Sequence, residues 1–305
     1  MGEAVKISDV LHRDELRALS KCSNRRAALV LSGNWLLIVI AFAGAIIWPN
    51  PLTILLGIAL LGGRQLGLEI IMHDCAHNAF FVNKALNQFV GHWICGAPRN
   101  IPLAVYRDIH LKHHKYAGSS DDPDLKFVKS YPVTAESLKR KFIRDLTGQT
   151  GLRDTLFKLR NLNFSESYQW IAFHAILLLV LTFFGAPWAY LMWWAAEIFI
   201  HPAISRLRQI GEHGVASNRS SADPRDNTST TRAAWWERLF VSPNFVNYHL
   251  EHHYFAHVPG YNLQRLHKIL SERGFYDGFE CVSKGYADVL MRSIRTERPL
   301  AGQSA

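Results

Sequence analysis

Cysteine is scarce in this chain of 305 residues, which contains four cysteines and no CxxC pair. Cys22, Cys75, Cys95 and Cys281 are widely separated, so a disulfide-rich scaffold is excluded. Zinc and iron–sulfur sites built from thiolates are disfavoured as well, because their ligands come in closely spaced pairs. Disorder over the whole chain is excluded by a hydrophobic fraction of 49%.

Charged residues make up 19% of the chain and are nearly absent from four stretches. These stretches are Ala28–Trp48, Leu52–His73, Tyr168–Gly185 and Ala186–Ser205. Each is close to the ~20 residues that a helix needs to cross a bilayer, and very short turns containing proline join them in two pairs. Four transmembrane helices in two hairpins are predicted. The alternative is a set of buried core helices in a soluble protein, which the lengths and the short turns disfavour.

The positive charges predict the orientation of these helices. Of the 34 lysines and arginines, all but Arg64 lie in residues 1–27, 74–167 and 206–305. The positive-inside rule therefore places these three segments, and both termini, in the cytoplasm. The net charge of +9 indicates contact with anionic membrane lipids, since no motif of a nucleic-acid-binding module occurs. A multi-pass protein of a bacterial inner membrane is expected.

Three segments follow from this topology. Residues 1–27 form a cytoplasmic N-terminal segment without the pattern of a cleaved signal peptide, 28–275 the membrane domain, and 276–305 a cytoplasmic C-terminal tail. The polar segment 217–232 is expected to be a flexible loop, and the last five residues, 301–305, a disordered end.

Histidine is abundant, with 15 residues, and eight of them fall into the three short motifs HDCAH, HLKHH and HLEHH. The eight are His73, His77, His110, His113, His114, His249, His252 and His253. The spacing i, i+4 puts two imidazoles on one face of a helix. By the charge pattern all three motifs lie on the cytoplasmic side, where the fold can bring them together. The alternative is a set of unrelated surface histidines, which three motifs at one membrane face disfavour.

Eight imidazoles are too many for one zinc ion, which takes four protein ligands in a structural site and three in a catalytic one. Two metal ions with about four nitrogens each fit the number. Imidazole binds iron, zinc, copper and nickel, so the ligand type alone leaves the metal open.

The three motifs resemble the histidine boxes of the integral-membrane fatty acid desaturase family, written HxxxH, HxxHH and HxxHH. The segment YFAHVPGYNLQRLHKIL after the third motif and Asp122-Pro123-Asp124 after the second are also similar to that family, and the likeness covers residues 45–275. The resemblance implies an all-α integral membrane fold, with four transmembrane helices in two hairpins and a cytoplasmic helical cap that holds a histidine-rich di-metal site. It implies two iron ions, O2 as co-substrate and the removal of two hydrogens from an acyl chain.

The resemblance also implies a ninth ligand after the fourth helix. His213, in the segment QIGEHG, is the matching residue, and His201 at the end of the fourth helix competes with it. Four polar residues near the ligands are expected to orient the imidazole rings: Glu69, Gln209, Glu212 and Asp124. His257, four residues after the third motif, is expected to lie at the surface or at the substrate entrance.

The third motif begins with histidine, whereas family members that act near the carboxyl end often begin it with glutamine and carry a fused cytochrome b5 domain. No HPGG haem motif occurs here. Electrons are therefore expected from a separate donor, a ferredoxin or a cytochrome b5-like protein. The basic cytoplasmic face of this protein would attract an acidic donor. The acyl substrate is expected to be linked to a lipid, to CoA or to a carrier protein.

An acyl chain must reach the metals through an apolar tunnel lined by the helices that precede the motifs. Gly67 leaves room on the second helix and Trp193 is placed to close the tunnel, although ordinary helix packing explains both equally well. Related functions with the same ligands remain open: a hydroxylase, a ketolase or a specialised desaturase acting on an alkane, a carotenoid or an amino-acid-derived metabolite. A transporter is disfavoured, because transport sites lie near the bilayer midplane.

Overall fold

The computed structural model describes residues 7–295. Residues 1–6 and 296–305, which include the predicted disordered end at 301–305, lie outside the described part. The α-helices are α1 (Ile7–Val10), α2 (Arg13–Leu19), α3 (Asn24–Ile47), α4 (Pro51–Ala76), α5 (Lys84–Phe89), α6 (Leu103–Tyr116), α7 (Leu125–Val128), α8 (Ala135–Leu146), α9 (Gln149–Arg160), α10 (Phe164–Phe183), α11 (Tyr190–Ala195), α12 (His201–Gln209), α13 (Pro224–Asn227), α14 (Trp235–Phe240), α15 (His249–Tyr254), α16 (Gly260–Glu272) and α17 (Tyr286–Arg292).

Other helix types and two short strands complete the described fold. The 3-10 helices are Ala97–Arg99, Pro187–Ala189 and Pro243–Phe245, and the π-helical segments are Val90–Gly96, Ala196–Ile200 and Ile210–Gly214. The strands are β1 (Thr230–Thr231) and β2 (Val282–Ser283), which pair in parallel.

Among the described helices, α3, α4 and α10 are long and apolar enough to cross a membrane. They contain 24, 26 and 20 residues, and each starts between one and four residues before the stretch predicted from the sequence. The turn between α3 and α4 is short because Pro51 starts α4 and the side chain of Asn50 accepts hydrogen bonds from the amides of Leu52 and Thr53. The chain is therefore a membrane protein with a mostly helical fold.

The fourth predicted span has a less regular form. Its residues are divided among the 3-10 helix Pro187–Ala189, α11, the π-helical segment Ala196–Ile200 and α12. Pro202, near the start of α12, lacks the amide that would bond to a carbonyl one turn earlier, and the wider π turn precedes it. No uninterrupted α-helix of spanning length therefore covers this part of the described chain.

The polar segment 217–232, expected to be a flexible loop, is instead packed against the rest of the fold. It contains α13 and β1, and Thr228, Ser229 and Thr230 are buried. Hydrogen bonds to distant backbone hold it, since the Ser229 amide donates to Glu212 and the Thr230 amide to Cys281. The polar composition of this segment predicted a loop. Buried hydrogen bonds between backbone groups leave no hydrophobic pattern in a sequence, so the prediction could not include them.

Residues 276–295 also pack onto the fold. They contribute β2, and α17 lies against the π-helical segment Ile210–Gly214 with Tyr286 and Val289 buried. The predicted boundary at residue 275 stays a prediction, but the described residues beyond it contact the same body as those before it.

Helices α3 and α4 approach each other closely at Gly67. The side-chain amide of Asn34 on α3 donates to the carbonyl oxygen of Arg64 at 3.2 Å, and Asn244 donates to the carbonyl oxygen of Gly67 at 2.8 Å. A Cβ atom on Gly67 would collide with Oδ1 of Asn34. Gly67 therefore serves a buried polar contact between helices.

Replacing Gly67 with alanine is expected to lower the melting temperature of the detergent-solubilised protein. Because the overlap with Asn34 is severe, the collision is expected to cost about 2–3 kcal/mol, which exceeds the ~1 kcal/mol that alanine gains over glycine inside a helix. Gly44→Ala in α3 is the matched control, because no atom beyond the neighbouring residues and backbone of its own helix lies within 4 Å of the added Cβ. If the Gly67→Ala protein melted at or above the melting temperature of the parent, α3 and α4 would not be closely packed at Gly67.

Candidate metal centre

Five histidine side chains converge near the end of α4. We call His73, His77, His110, His114 and His252 the first histidine group; each offers a ring nitrogen, and these nitrogens lie within 4.8 Å of one another. The Nε2 atoms of His73 and His252, of His77 and His110, and of His114 and His252 are each 2.9 Å apart.

Four further histidines form a second group beside the first. We call His113, His213, His249 and His253 the second histidine group, and its ring nitrogens also lie within 4.8 Å of one another. The Nε2 atoms of His213 and His253 each lie 3.1 Å from that of His249. The rings of His114 and His253 stack at a centroid distance of 4.5 Å, so the two groups are neighbours.

The helical repeat explains how three short motifs supply two groups. Residues at i and i+4 share a helix face, so His110 and His114 of α6 enter the first group and His249 and His253 of α15 enter the second. The histidine at i+3 lies about 100° around the helix from its neighbour at i+4 and crosses to the other group. Each HxxHH motif therefore contributes histidines to both groups.

Acceptors on the far side of three rings fix which nitrogen carries the proton. Nδ1 of His213 lies 3.0 Å from the carbonyl oxygen of Asn227, which can only accept, so this nitrogen donates. The Nδ1 atom of His73 lies 3.0 Å from Asp74, and that of His113 lies 2.7 Å from Asp122. The opposite nitrogen, Nε2, then carries a free lone pair in each neutral ring. Several such lone pairs facing one another repel unless a cation lies between them, and this donor set fits metal ions.

The surroundings keep most of the rings uncharged. Burial, with the nearby His113, lowers the pKa of His213 to about 3, and burial, with the nearby His77, lowers that of His114 to about 2. Burial also holds the pKa of His249 well below its usual value. These imidazoles are neutral at neutral pH, the form that binds a metal.

His113 differs from its neighbours. Burial alone lowers its pKa, but the hydrogen bond to Asp122 and the charge of Asp124 outweigh burial and raise it. The carboxylate of Asp122 therefore increases the basicity of this ring, as carboxylates beside metal-bound histidines commonly do.

The four polar residues predicted to orient the rings have different positions. The Oε1 atom of Glu212 lies 3.5 Å from Nδ1 of His249 and accepts a hydrogen bond of 2.9 Å from Arg208. Burial raises the pKa of Glu212 to about 7 although Arg208 opposes the shift. The Oδ2 atom of Asp124 lies 3.9 Å from Nδ1 of His113.

The spacing of Glu69 in the sequence predicted a contact with His73, but Glu69 contacts other residues. Its carboxylate pairs with Arg99 at 2.7 Å and with Nε2 of His201 at 3.2 Å. Nδ1 of His73 faces Asp74 instead. Nε2 of His201 is engaged by Glu69, and His201 lies outside both histidine groups.

The contacts that Asp74 and the carbonyl of Asn227 make with histidine rings were not predicted from the sequence. Asp122 was noted there only as part of a motif. Asp74 is next to His73 in the sequence, where side chains of a helix diverge, so spacing gave no signal. Asp122 was visible in Asp122-Pro123-Asp124, and its contact with His113 needs the turn after α6. A backbone carbonyl such as that of Asn227 has no sequence signature.

A cavity of about 230 Å³, here called the histidine cavity, reaches both histidine groups. Its polar wall includes Gln209 and, from the two groups, His73, His110, His113, His213 and His249. Its apolar wall consists of Tyr106, Ile109, Phe127, Val128 and Val246. A partly apolar molecule in this cavity lies beside both groups.

Gly67 and Trp193, expected to line an acyl tunnel, lie in helix contacts. Gly67 packs against Asn34 and Asn244 as described above, and Trp193 is fully buried beside Phe173 at a ring distance of 5.1 Å. The backbone oxygen of Trp193 accepts a hydrogen bond of 2.9 Å from Gln65. Neither residue lines the histidine cavity. His257 is exposed and lies outside both groups.

Comparison with known proteins agrees with this geometry. The family model described as fatty acid desaturase matches residues 46–281. An sn-1 oleoyl-lipid 12-desaturase of Synechocystis is 25% identical, over 87% of this chain and 83% of that protein. A dihydrorhizobitoxine desaturase of Bradyrhizobium elkanii is 23% identical over 73% of this chain and 68% of its own length. A beta-carotene ketolase of Paracoccus is 27% identical over 72% of this chain and 81% of its own length.

Proposed function

The chain belongs to the fatty acid desaturase family and is an oxidoreductase, and on this premise we propose that it introduces a double bond into an acyl chain with O2 as co-substrate. The observation that carries the proposal is the histidine cavity, in which two neighbouring histidine groups and an apolar wall face the same space. A saturated methylene offers no acidic proton, so acid–base residues alone cannot remove its hydrogens.

We propose that each histidine group holds one iron ion. The first group offers five ring nitrogens and the second four, and neutral imidazoles are stable ligands for iron. His213 is the ninth ligand in this proposal. The two irons would supply the oxidising chemistry that breaks unactivated C–H bonds.

The chain's own residues orient the ligands and receive the substrate. Asp74 and Asp122 hold the rings of His73 and His113 by their Nδ1 atoms, so that the Nε2 atoms face inward. Ile109 and Phe127 belong to the apolar wall and would place methylene groups beside the histidines and exclude water.

One relative supports a second candidate, because it is named as a ketolase, an enzyme type that adds oxygen to its substrate. A ketolase, a hydroxylase or a specialised desaturase would use the same two histidine groups, since these ligands do not determine which product forms. The substrate of this second candidate would be an alkane, a carotenoid or an amino-acid-derived metabolite.

The product distinguishes the two candidates. Expression in a bacterium that lacks desaturases, followed by mass spectrometry of total lipids, is expected to yield acyl chains that lack two hydrogens. The His114→Ala protein, expressed to the same level, is the control and should yield none, because it removes a donor of the first histidine group. Products that gain one oxygen atom, as a hydroxyl group or, with the loss of two hydrogens, as a ketone, and that have no new carbon–carbon double bond would favour a hydroxylase or a ketolase instead.

Electrons are proposed to come from a separate donor, a ferredoxin or a cytochrome b5-like protein. The net charge of +9 supports an acidic partner, because opposite charges steer two proteins together. Removal of the donor from a reconstituted assay is expected to stop turnover.

The proposed topology has four spans in two hairpins, with both termini, the histidine groups and a helical cap in the cytoplasm of a bacterial inner membrane. The distribution of lysine and arginine supports it. In a cysteine-free variant, a cysteine at the exposed Asn50 is expected to react with a membrane-impermeant maleimide in intact cells, whereas one at the exposed Ser217 is expected to be protected. Labelling of Ser217 from outside would overturn this topology.

A further inference from the structure

Helix α15 has six residues, and three of them are proposed metal ligands: His249, His252 and His253. A helix this short is not stable by its own hydrogen bonds, because isolated helices of fewer than about 12 residues are marginal in water. His252 belongs to the first histidine group and the other two belong to the second, so a rotation of α15 would displace ligands of both groups. Contacts outside the helix must therefore fix its orientation.

Glu251 lies on the face of α15 that points away from the histidine groups. With 3.6 residues per turn, it is about 160° around the helix from His249 and from His253. The residue is 0% exposed, so its carboxylate lies inside the protein. A buried carboxylate is costly unless hydrogen-bond donors surround it. The donors that surround Glu251 therefore also hold this face of the helix.

Three side chains donate hydrogen bonds to the carboxylate of Glu251. Its Oε1 atom accepts from the hydroxyl of Tyr276 and from Nδ1 of His267, which lies 2.5 Å away. Its Oε2 atom accepts from the hydroxyl of Thr230. The hydroxyl oxygen of Thr230 also accepts a hydrogen bond of 3.2 Å from the amide of Leu250, so Thr230 contacts α15 twice. None of the three donors belongs to a histidine group.

The three donors come from separate segments of the chain. Thr230 is on β1, His267 is on α16, and Tyr276 follows α16. The backbone of Thr230 is held as well, since its amide donates to the carbonyl oxygen of Cys281 at 2.8 Å and β1 pairs with β2. Glu251 thus connects α15 to several segments at once, including residues beyond the predicted boundary at 275.

We propose that Glu251 is a positioning residue, which fixes the rotation of α15 and thereby aims the three histidines of this helix at both metal ions. The inference rests on the proposed function, because it presupposes a metal ion in each histidine group. Loss of a group that orients a metal ligand commonly costs about 10–100-fold in metal affinity. Asp74 and Asp122 each contact one ring, whereas Glu251 acts on the whole helix, so both metal sites depend on it.

Titration of the metal-free, full-length protein in detergent with Co2+ tests the proposal. The visible absorption of histidine-bound Co2+ reports how much metal binds and in what coordination geometry. Glu251→Ala leaves three buried donors without their acceptor, and it is expected to weaken the binding of both Co2+ ions about 10–100-fold and to change their spectra. Glu251→Gln keeps one oxygen acceptor and adds an amide that can donate to Thr230, so it is expected to restore most of the affinity.

Leu270→Ala is the matched control for a general loss of stability. Leu270 is fully buried in the same hydrophobic cluster as Leu250 and Tyr276, but its side chain cannot form hydrogen bonds. This variant is expected to lower the melting temperature, as large-to-small core substitutions do, and to leave Co2+ affinity nearly unchanged. Equal weakening by Glu251→Ala and Leu270→Ala would overturn the proposal, since Glu251 would then only stabilise the fold. Parent-like Co2+ binding by Glu251→Ala would overturn it as well.

Hydrogen exchange of the metal-free protein separates this proposal from the proposed function. If the parent bound no Co2+, the proposed metal sites would be refuted, and the exchange rates would decide the role of Glu251. Backbone amides of residues 249–254 are expected to exchange faster in Glu251→Ala than in Leu270→Ala, because the first variant releases α15 locally. Equal exchange of these amides in the two variants would overturn the proposal.

Discussion

Replacing His213 with alanine is expected to abolish product formation and to reduce the iron content from two ions per chain towards one. The second histidine group has four ring nitrogens, and this change removes one of them. Loss of a residue that merely orients a ligand costs about 10–100-fold, so loss of the ligand itself is expected to cost more than about 100-fold. Product formation by lipid mass spectrometry and iron by elemental analysis measure the two effects.

His257→Ala is the control for this prediction. His257 is exposed and lies outside both groups, so its removal is expected to leave iron content and most of the activity unchanged. His201→Ala separates the two candidates for the ninth ligand, because His201 contacts Glu69 rather than the second group. Loss of one iron on removal of His201, with two irons kept on removal of His213, would reverse the assignment.

Replacing Asp122 with alanine is expected to reduce activity about 10–100-fold with the histidines intact. The carboxylate accepts from Nδ1 of His113 at 2.7 Å and thereby fixes the ring with its Nε2 towards the second group. Burial opposes its ionisation, but His113 holds the pKa of Asp122 below its usual value, so the acceptor is charged at neutral pH. Iron affinity, measured by competition with a chelator, is expected to fall together with the rate.

Two variants make the Asp122 prediction specific. Asp121→Ala removes an exposed carboxylate next to it and is expected to have little effect. Asp122→Asn keeps an oxygen that can accept the same hydrogen bond and is expected to restore much of the iron affinity. If Asp122→Ala bound iron as tightly as the parent, the ring of His113 would need no such support.

The sequence predicted which histidines lie close together because helix geometry links spacing to position. Motifs of the form HxxHH place residues i and i+4 together wherever a helix forms, and α6 and α15 do form there. The first two hairpin helices were also predictable, since charge-free stretches of this length are typical of membrane spans. The number of histidines predicted two metal ions, and the structure has two histidine groups that could hold them.

Contacts between distant segments were not predictable in this way. Gly67 was expected to leave space for an acyl chain, but the side chain of Asn34, which bonds to the backbone beside Gly67, fills that space. The ion pair of Glu69 with Arg99 and its hydrogen bond with His201 replaced the expected contact with His73, one turn along α4. Each depends on which helix packs against which, and this information is absent from local spacing.

The proposed function depends on two iron ions, one in each histidine group. Elemental analysis of the purified protein, paired with an activity assay on the same sample, measures whether both are present and needed. We expect close to two irons per chain, with activity that falls in proportion as a chelator removes them. One tightly held zinc ion per chain, with full activity and no iron, would contradict it.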